Sequence, residues 1–296
     1  MKALQTCACS ALMLLVTVWS GTTLVLASDQ INIPDGTSHV GDLSARNGPI
    51  RLGDKVKVDG VISTRNGLIR IGNDSQSGDI ESRNGAITLG RGNQVGEIST
   101  RNGSIELGDD NHALSLDTRN GSITVGGGSR VDGLVHTRNG SIRLAQLAEV
   151  LGSVSTRNGS IQLDPGSRIA GQVESRNGAI RLEQAEVGQE VTSRAGNIEL
   201  HLGSHVGGDL IIEIEEQSGG WRLFGGSPDY ADAGHILIMD DSLVAGDVII
   251  RLPDDYNAEI PSITIAPEAR VLGQVRVDSR TVLHIEGEVA GGIQQR

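Results

Sequence analysis

Cysteine is nearly missing from this 296-residue chain: there are 2, Cys7 and Cys9, both ahead of the first apolar run. Past residue 9 nothing can form a disulfide, a thiolate zinc site or a cysteine nucleophile. Aromatics are scarce as well, at 2% of residues, and beyond Trp19 they reduce to Trp221, Phe224, Tyr230 and Tyr256. Long hydrophobic runs are also lacking. The one candidate, Ala11 to Trp19, is broken off by Ser20, Gly21, Thr22 and Thr23 and is too short to span a bilayer. With Lys2 before it and Val25-Leu26-Ala27 after it, residues 1–27 read as a secretory signal, which implies a periplasmic, cell-surface or secreted protein with no integral span in its mature part. Basic excess is missing too. The chain has 25 Lys and Arg against 37 Asp and Glu, a net charge of −12, which argues against a nucleic-acid partner.

The sequence also lacks the usual carriers of chemistry. No Gly-rich phosphate loop, Gly-x-Ser-x-Gly elbow or paired-carboxylate constellation is present. The 7 histidines are scattered; only His201 and His205 stand close, flanking Gly203 on an expected loop. Neither an enzyme nor a bound cofactor or metal is expected.

What the chain does contain is one phrase written nine times: a small or hydroxyl residue, Arg-Asn-Gly, one residue, then Ile. The phrases begin at Arg46, Arg65, Arg83, Arg101, Arg119, Arg138, Arg157, Arg176 and Arg194, the last worn down to Arg194-Ala195-Gly196-Asn197. The near-constant step from one arginine to the next, as from Arg83 to Arg101 to Arg119, marks a stacked repeat. Within one period, Glu97-Ile98-Ser99-Thr100 alternates as a half-buried strand does, and so does Ser104-Ile105-Glu106-Leu107. Ile98, Ile105 and Leu107 should point inward, and Glu97, Ser99, Arg101 and Glu106 outward. The fold expected is all-β: a single-stranded β-solenoid, in its right-handed β-helix form, with three short strands in each 18–19-residue turn and about fourteen turns in all. The domain plan is a signal at 1–27, a regular solenoid at 28–200, and an irregular acidic continuation at 201–296 with an aromatic insertion at about 216–237.

Stacking places equal letters above one another. Asn47, Asn66, Asn84, Asn102, Asn120, Asn139, Asn158 and Asn177 should form a ladder of amides along the axis. Asn-Gly tolerates a left-handed backbone, so that conformation is expected at this corner. The nine arginines form a second column, in which unit charges about 4.8 Å apart repel by about 1 kcal/mol per pair in water. Either neighbours such as Glu81, Asp117 and Glu174 neutralise them, or they present a row of guanidiniums to an anionic polysaccharide or lipopolysaccharide. The hydroxyls at Thr64, Thr100, Thr118, Thr137 and Thr156, interrupted by Ser82, Ser175 and Ser193, admit ice binding as a further reading.

After residue 200 the Arg-Asn-Gly corner stops and acid accumulates: residues 41–200 hold 18 basic and 19 acidic side chains, residues 201–296 hold 6 and 16. Ser204 to Ile214 recurs as Ser242 to Leu252, at a distance that reads as two turns. Val271-Leu272-Gly273 recurs at Val289-Ala290-Gly291, one turn later. The aromatics between the first pair should cover a flank of the coil or stack sugar rings. Three residues follow Ile293, and an unshielded last turn would favour end-to-end self-association.

The Thr100-Arg101-Asn102-Gly103-Ser104-Ile105 type of phrase, together with Asp247-Val248-Ile249-Ile250-Arg251-Leu252-Pro253, resembles the adhesin-like bacterial domains of unknown function, a family of β-solenoids. The resemblance covers most of 40–265. The tail, Val271-Leu272-Gly273-Gln274-Val275 and Gly287-Glu288-Val289-Ala290-Gly291-Gly292-Ile293, resembles the polymer-forming bactofilins, although those are cytoskeletal and this chain carries an export signal. The resemblance implies no catalytic residues. It implies a structural or adhesin-like envelope module, or, alternatively, a self-assembling scaffold.

Overall fold

A computed structural model describes residues 24–26, 30–214 and 230–296. The signal reading of 1–27 therefore lies outside the described residues except for strand Leu24–Leu26, which pairs in parallel with Leu43–Ala45. The described chain is an all-β parallel solenoid of about 13 turns with no helix. Each regular turn contributes three strands, for example Glu97–Thr100, Ile105–Leu107 and His112–Ala113. Stacked turn on turn, these make one sheet of 14 strands, a second of 13 and a third of 9, the third extended by the pair Ser38–Val40 and Lys57–Asp59. Isolated bridges through Gln76 and Gln94 connect that pair to His112, so the third face is continuous.

Period-two alternation decides which residues form the interior. Ile87, Ile105 and Ile123 lie directly above one another in register, and each is at most 1% exposed. Burying an aliphatic column of this kind is the main favourable contribution, because each strand alone is too short to be stable. As expected, Ile98, Ile105 and Leu107 face inward, while Glu97, Arg101 and Glu106 are exposed and Ser99 is half-buried.

Three sequence expectations change. First, the long spacing from Ser204 to Ser242 is one turn and not two, since Val206 pairs with Val244 and Leu210 with Val248. Ile198, Ile236 and Ile263 stack directly, so the interval from Ile198 to Ile236 and that from Ile236 to Ile263 are each a single turn longer than the period, the second with a loop between Arg251 and Ser262. This is why about 13 turns are found where the length divided by the period gives fourteen.

Second, the left-handed corner is elsewhere. Gly67, Gly85, Gly103, Gly121, Gly140 and Gly159 all have φ outside that region; at this corner positive φ is found at Gly178, Gly196 and Gly234, the last stacked on Gly196. The regular left-handed positions fall instead between the second and third sheets, at Lys55, Asp74, Gly92, Asp110, Gly128, Leu147, Gly166, Gln184 and Leu202. Leu147 there has φ 61° and is 70% exposed, between the glycines of adjacent turns. Left-handed backbone disfavours a side chain with a Cβ. Leu147→Gly is therefore expected to raise stability by about 0.5–1 kcal/mol, net of the added freedom of the unfolded chain. An unchanged or lower denaturant midpoint would contradict this.

Third, the hydroxyl column faces inward. Thr118, Thr137 and Thr156 are at most 3% exposed and donate to the carbonyls of Gly103, Gly121 and Gly140 at 2.8–2.9 Å. Ser82, Ser175 and Ser193 are buried as well. This column presents nothing to an ice surface.

Candidate functional site

The Arg-Asn-Gly corner joins the first sheet to the second and repeats on one edge of the coil. Its glycine is required by close approach: a Cβ on Gly67, Gly85, Gly103, Gly121, Gly140 or Gly159 would lie 1.9–2.2 Å from the carbonyl oxygen of the glycine one turn earlier. No side chain fits between backbones stacked so closely. The turn is thus held flat against its neighbour, which brings the preceding asparagines into contact.

The expected asparagine ladder is present. Asn66, Asn84, Asn102, Asn120, Asn139, Asn158 and Asn177 each donate from Nδ2 to Oδ1 of the asparagine one turn earlier, starting at Asn47, at 2.7–2.8 Å. All eight asparagines are solvent-exposed. The run ends where Ala195 stacks on Asn177.

Next to the ladder runs the arginine row. Arg46, Arg65, Arg83, Arg101, Arg119, Arg138 and Arg157 are exposed, and among the described residues none has an acid within ion-pairing distance. Arg194 reaches Glu174 at 3.7 Å, and Arg176 is also engaged. Of the three acids expected to neutralise the row, only Glu174 does so; Glu81 and Asp117 pair with no arginine among the described residues. A shallow groove of about 740 Å³ runs beside the first five arginines, with Ser63, Glu81, Ser99 and Asp117 also lining it.

Other columns of the same molecule are arranged differently. On the third sheet, Arg130, Glu149, Arg168 and Glu186 stack in alternation. Arg130 pairs with Glu149 at 2.7 Å and Arg168 with Glu186 at 3.3 Å. Asp132 joins this group, its carboxyl held below the usual value by hydrogen bonds from His112 and then Arg130. Past Arg194 the corner column itself turns alternating: Glu213 stacks on Arg251, and the two pair at 3.2 Å. Among the described residues the longest column of like charge is the one written by Arg-Asn-Gly; a shorter one, Arg51 on Arg70, lies on the second sheet.

Two described tyrosines of the C-terminal part pack together at this same corner. Tyr230 and Tyr256 are buried, with ring centroids 5.6 Å apart. The Tyr256 hydroxyl donates to the Glu259 carbonyl at 2.7 Å and accepts from the Ala233 N–H at 2.9 Å, and burial pushes its pKa up. Tyr230 hydrogen-bonds Asp255, and the Arg280 guanidinium lies 6.0 Å from the Tyr256 ring centre. The two tyrosines thus cover the coil and offer no open face to a sugar. Trp221 and Phe224 lie outside the described residues.

His201 faces Glu199 and Asp240 at 3.7 Å each, while His205 is carried on the third sheet. Among the described residues no three metal-ligating side chains converge, and no described helix is long and apolar enough to cross a membrane.

Sequence reasoning missed a second, buried ladder. Ser75, Asn93, Asn111 and Ser129 are at most 1% exposed and stack at the left-handed corner. Each accepts the backbone N–H one turn back, from Val56, Ser75, Asn93 and Asn111 respectively, at 2.8–3.0 Å. The signal was legible in Asn93, Asn111, Ser129, Ser167, Ser204 and Ser242, which recur just ahead of the third-sheet strands. Comparisons with protein-family models, with curated proteins and with solved structures found no match to this chain.

Proposed function

We propose that this solenoid is an exported, non-enzymatic envelope or surface module that holds a linear anionic glycan along its arginine row. The observation that carries this reading is the contrast in pairing. On the third sheet Arg and Glu alternate within a column and pair, yet seven consecutive corner arginines stand exposed with no ion pair among the described residues. Folding gains nothing from that arrangement, since stacked like charges repel. A polymer bearing carboxylate, sulfate or phosphate groups would relieve the repulsion, and the guanidinium fork suits all three. The ligand is supplied as a chain because the cations lie in a line, with about 4.8 Å between turns.

Replacing Arg101, Arg119, Arg138 and Arg157 by Gln tests this. Wild-type protein should be retained on an immobilised anionic polysaccharide despite its net charge of −12, and be released by salt. Four exposed contacts of up to about 1 kcal/mol each predict at least a tenfold weaker affinity in the variant, with thermal stability equal or slightly higher. Undiminished retention by a folded variant would refute the arginine track.

A further inference from the structure

We infer that Asn84 and Asn102 are sites of spontaneous covalent modification, whereas Asn120, Asn139, Asn158 and Asn177, in the same Asn-Gly dipeptide, are protected. The reaction is deamidation. The backbone nitrogen of the following glycine attacks the asparagine side-chain carbonyl carbon, forming a C–N bond and closing a succinimide; the bond to the amide nitrogen breaks and ammonia leaves. The glycine N–H proton passes to solvent base. Water, the only co-reactant, then opens the ring at either carbonyl to give aspartate or isoaspartate. Exposed Asn-Gly is chemically prone to this step because glycine places no side chain in the path of attack.

What differs between the two groups is the attacking nitrogen. The N–H groups of Gly121, Gly140 and Gly159 donate to the carbonyls of Asn139, Asn158 and Asn177 at 3.0 Å, and that of Gly178 donates to Ala195 at 2.8 Å. The N–H groups of Gly85 and Gly103 have no acceptor among the described residues. The division follows the strands. In the early turns the first-sheet strand stops before the arginine, as in Ile80–Ser82 and Glu97–Thr100, whereas from Ser115–Asn120 onward it continues through the asparagine. Pairing carried past the corner ties the glycine N–H to the next turn, and its release must precede attack.

Modification also changes the face. An acid at position 84 loses the Nδ2 donation to Asn66, now made at 2.7 Å, and sets a carboxylate oxygen against the Asn66 carbonyl. It adds a negative charge next to Arg83 in sequence. The inference stands on backbone hydrogen bonding and does not depend on any ligand of the arginine row.

The test is incubation of the folded full chain at mildly alkaline pH, with site-resolved peptide mass spectrometry and isoaspartate detection. Asn84 and Asn102 should convert at least about tenfold faster than the four protected residues, a factor equivalent to about 1.4 kcal/mol for freeing one backbone hydrogen bond. In the urea-unfolded chain that gap should close. Equal rates across the folded chain, faster conversion at Asn120 to Asn177, or conversion of Asn84 and Asn102 only after unfolding would each overturn the inference.

Discussion

Gly121→Ala is expected to lower stability by about 3 kcal/mol or more, the upper range for forcing volume into a filled site. The added Cβ would sit 2.0 Å from the Gly103 carbonyl oxygen and 2.5 Å from its carbon, both backbone atoms with no rotamer to vacate. That oxygen already accepts the Thr118 hydroxyl at 2.9 Å. To make room, the turn must lift away from the one beneath it. The lift strains the Asn120 to Asn102 bond and the Thr118 bond to Gly103, so one methyl group disturbs two interactions with the turn beneath. Ser122→Ala, at the exposed adjacent position, should stay within about 0.5 kcal/mol of wild type. Urea midpoints separate the two. A Gly121→Ala protein as stable as Ser122→Ala would mean that the turns are not packed this closely.

Asn111→Ala should be nearly as damaging, for a different reason. This side chain is 1% exposed, donates to the carbonyls of Gly90 and Gly108 at 2.7 and 2.8 Å, and accepts the Asn93 N–H at 2.8 Å. Truncation leaves the Gly90 carbonyl and the Asn93 N–H without partners, while the Gly108 carbonyl keeps the Ser129 hydroxyl at 3.0 Å; at about 1–3 kcal/mol per orphaned group, a loss of about 2 kcal/mol or more is expected. Asn102→Ala removes the equivalent ladder contacts on the exposed edge, where water replaces them, and should lower stability by only about 1 kcal/mol. The ladder that the sequence displays so plainly is thus the less important of the two. Equal losses for Asn111→Ala and Asn102→Ala would contradict this ranking.

Periodicity made the architecture legible. Arg-Asn-Gly at a near-constant step and two alternating stretches per period suffice for a three-sided coil with aligned asparagines, and both are present. Strict alternation from Ile98 also places Thr100 inside, so the inward hydroxyls follow from the same rule that placed Ile98. Other features were hidden because a letter has more than one use. Glycine serves both left-handed backbone and close approach, and at Gly103 the second applies. The spacing from Ser204 to Ser242 fits two turns or one turn with a loop, and only strand register distinguishes Val206 on Val244 from the alternative. The buried ladder escaped notice because Ser and Asn before a valine strand look like ordinary turn residues. That the arginines from Arg46 to Arg157 have no ion pair among the described residues is beyond the sequence as well: Glu81 and Asp117 stand two positions before Arg83 and Arg119 yet reach neither.

The central claim is that consecutive turns lie in register, one above the other. Paired cysteines test it most directly, in a chain whose Cys7 and Cys9 are replaced by serine. Ser104 and Ser122 precede the paired residues Ile105 and Ile123, and Ser141 precedes Ile142 one turn further on. Adjacent turns are separated by about 4.8 Å, within the Cα range of a disulfide, and alternate turns by about twice that, which is outside it. Mild oxidation should therefore cross-link Ser104→Cys with Ser122→Cys readily and leave Ser104→Cys with Ser141→Cys reduced. Equal cross-linking of both pairs, or preference for the second, would contradict the stacked register.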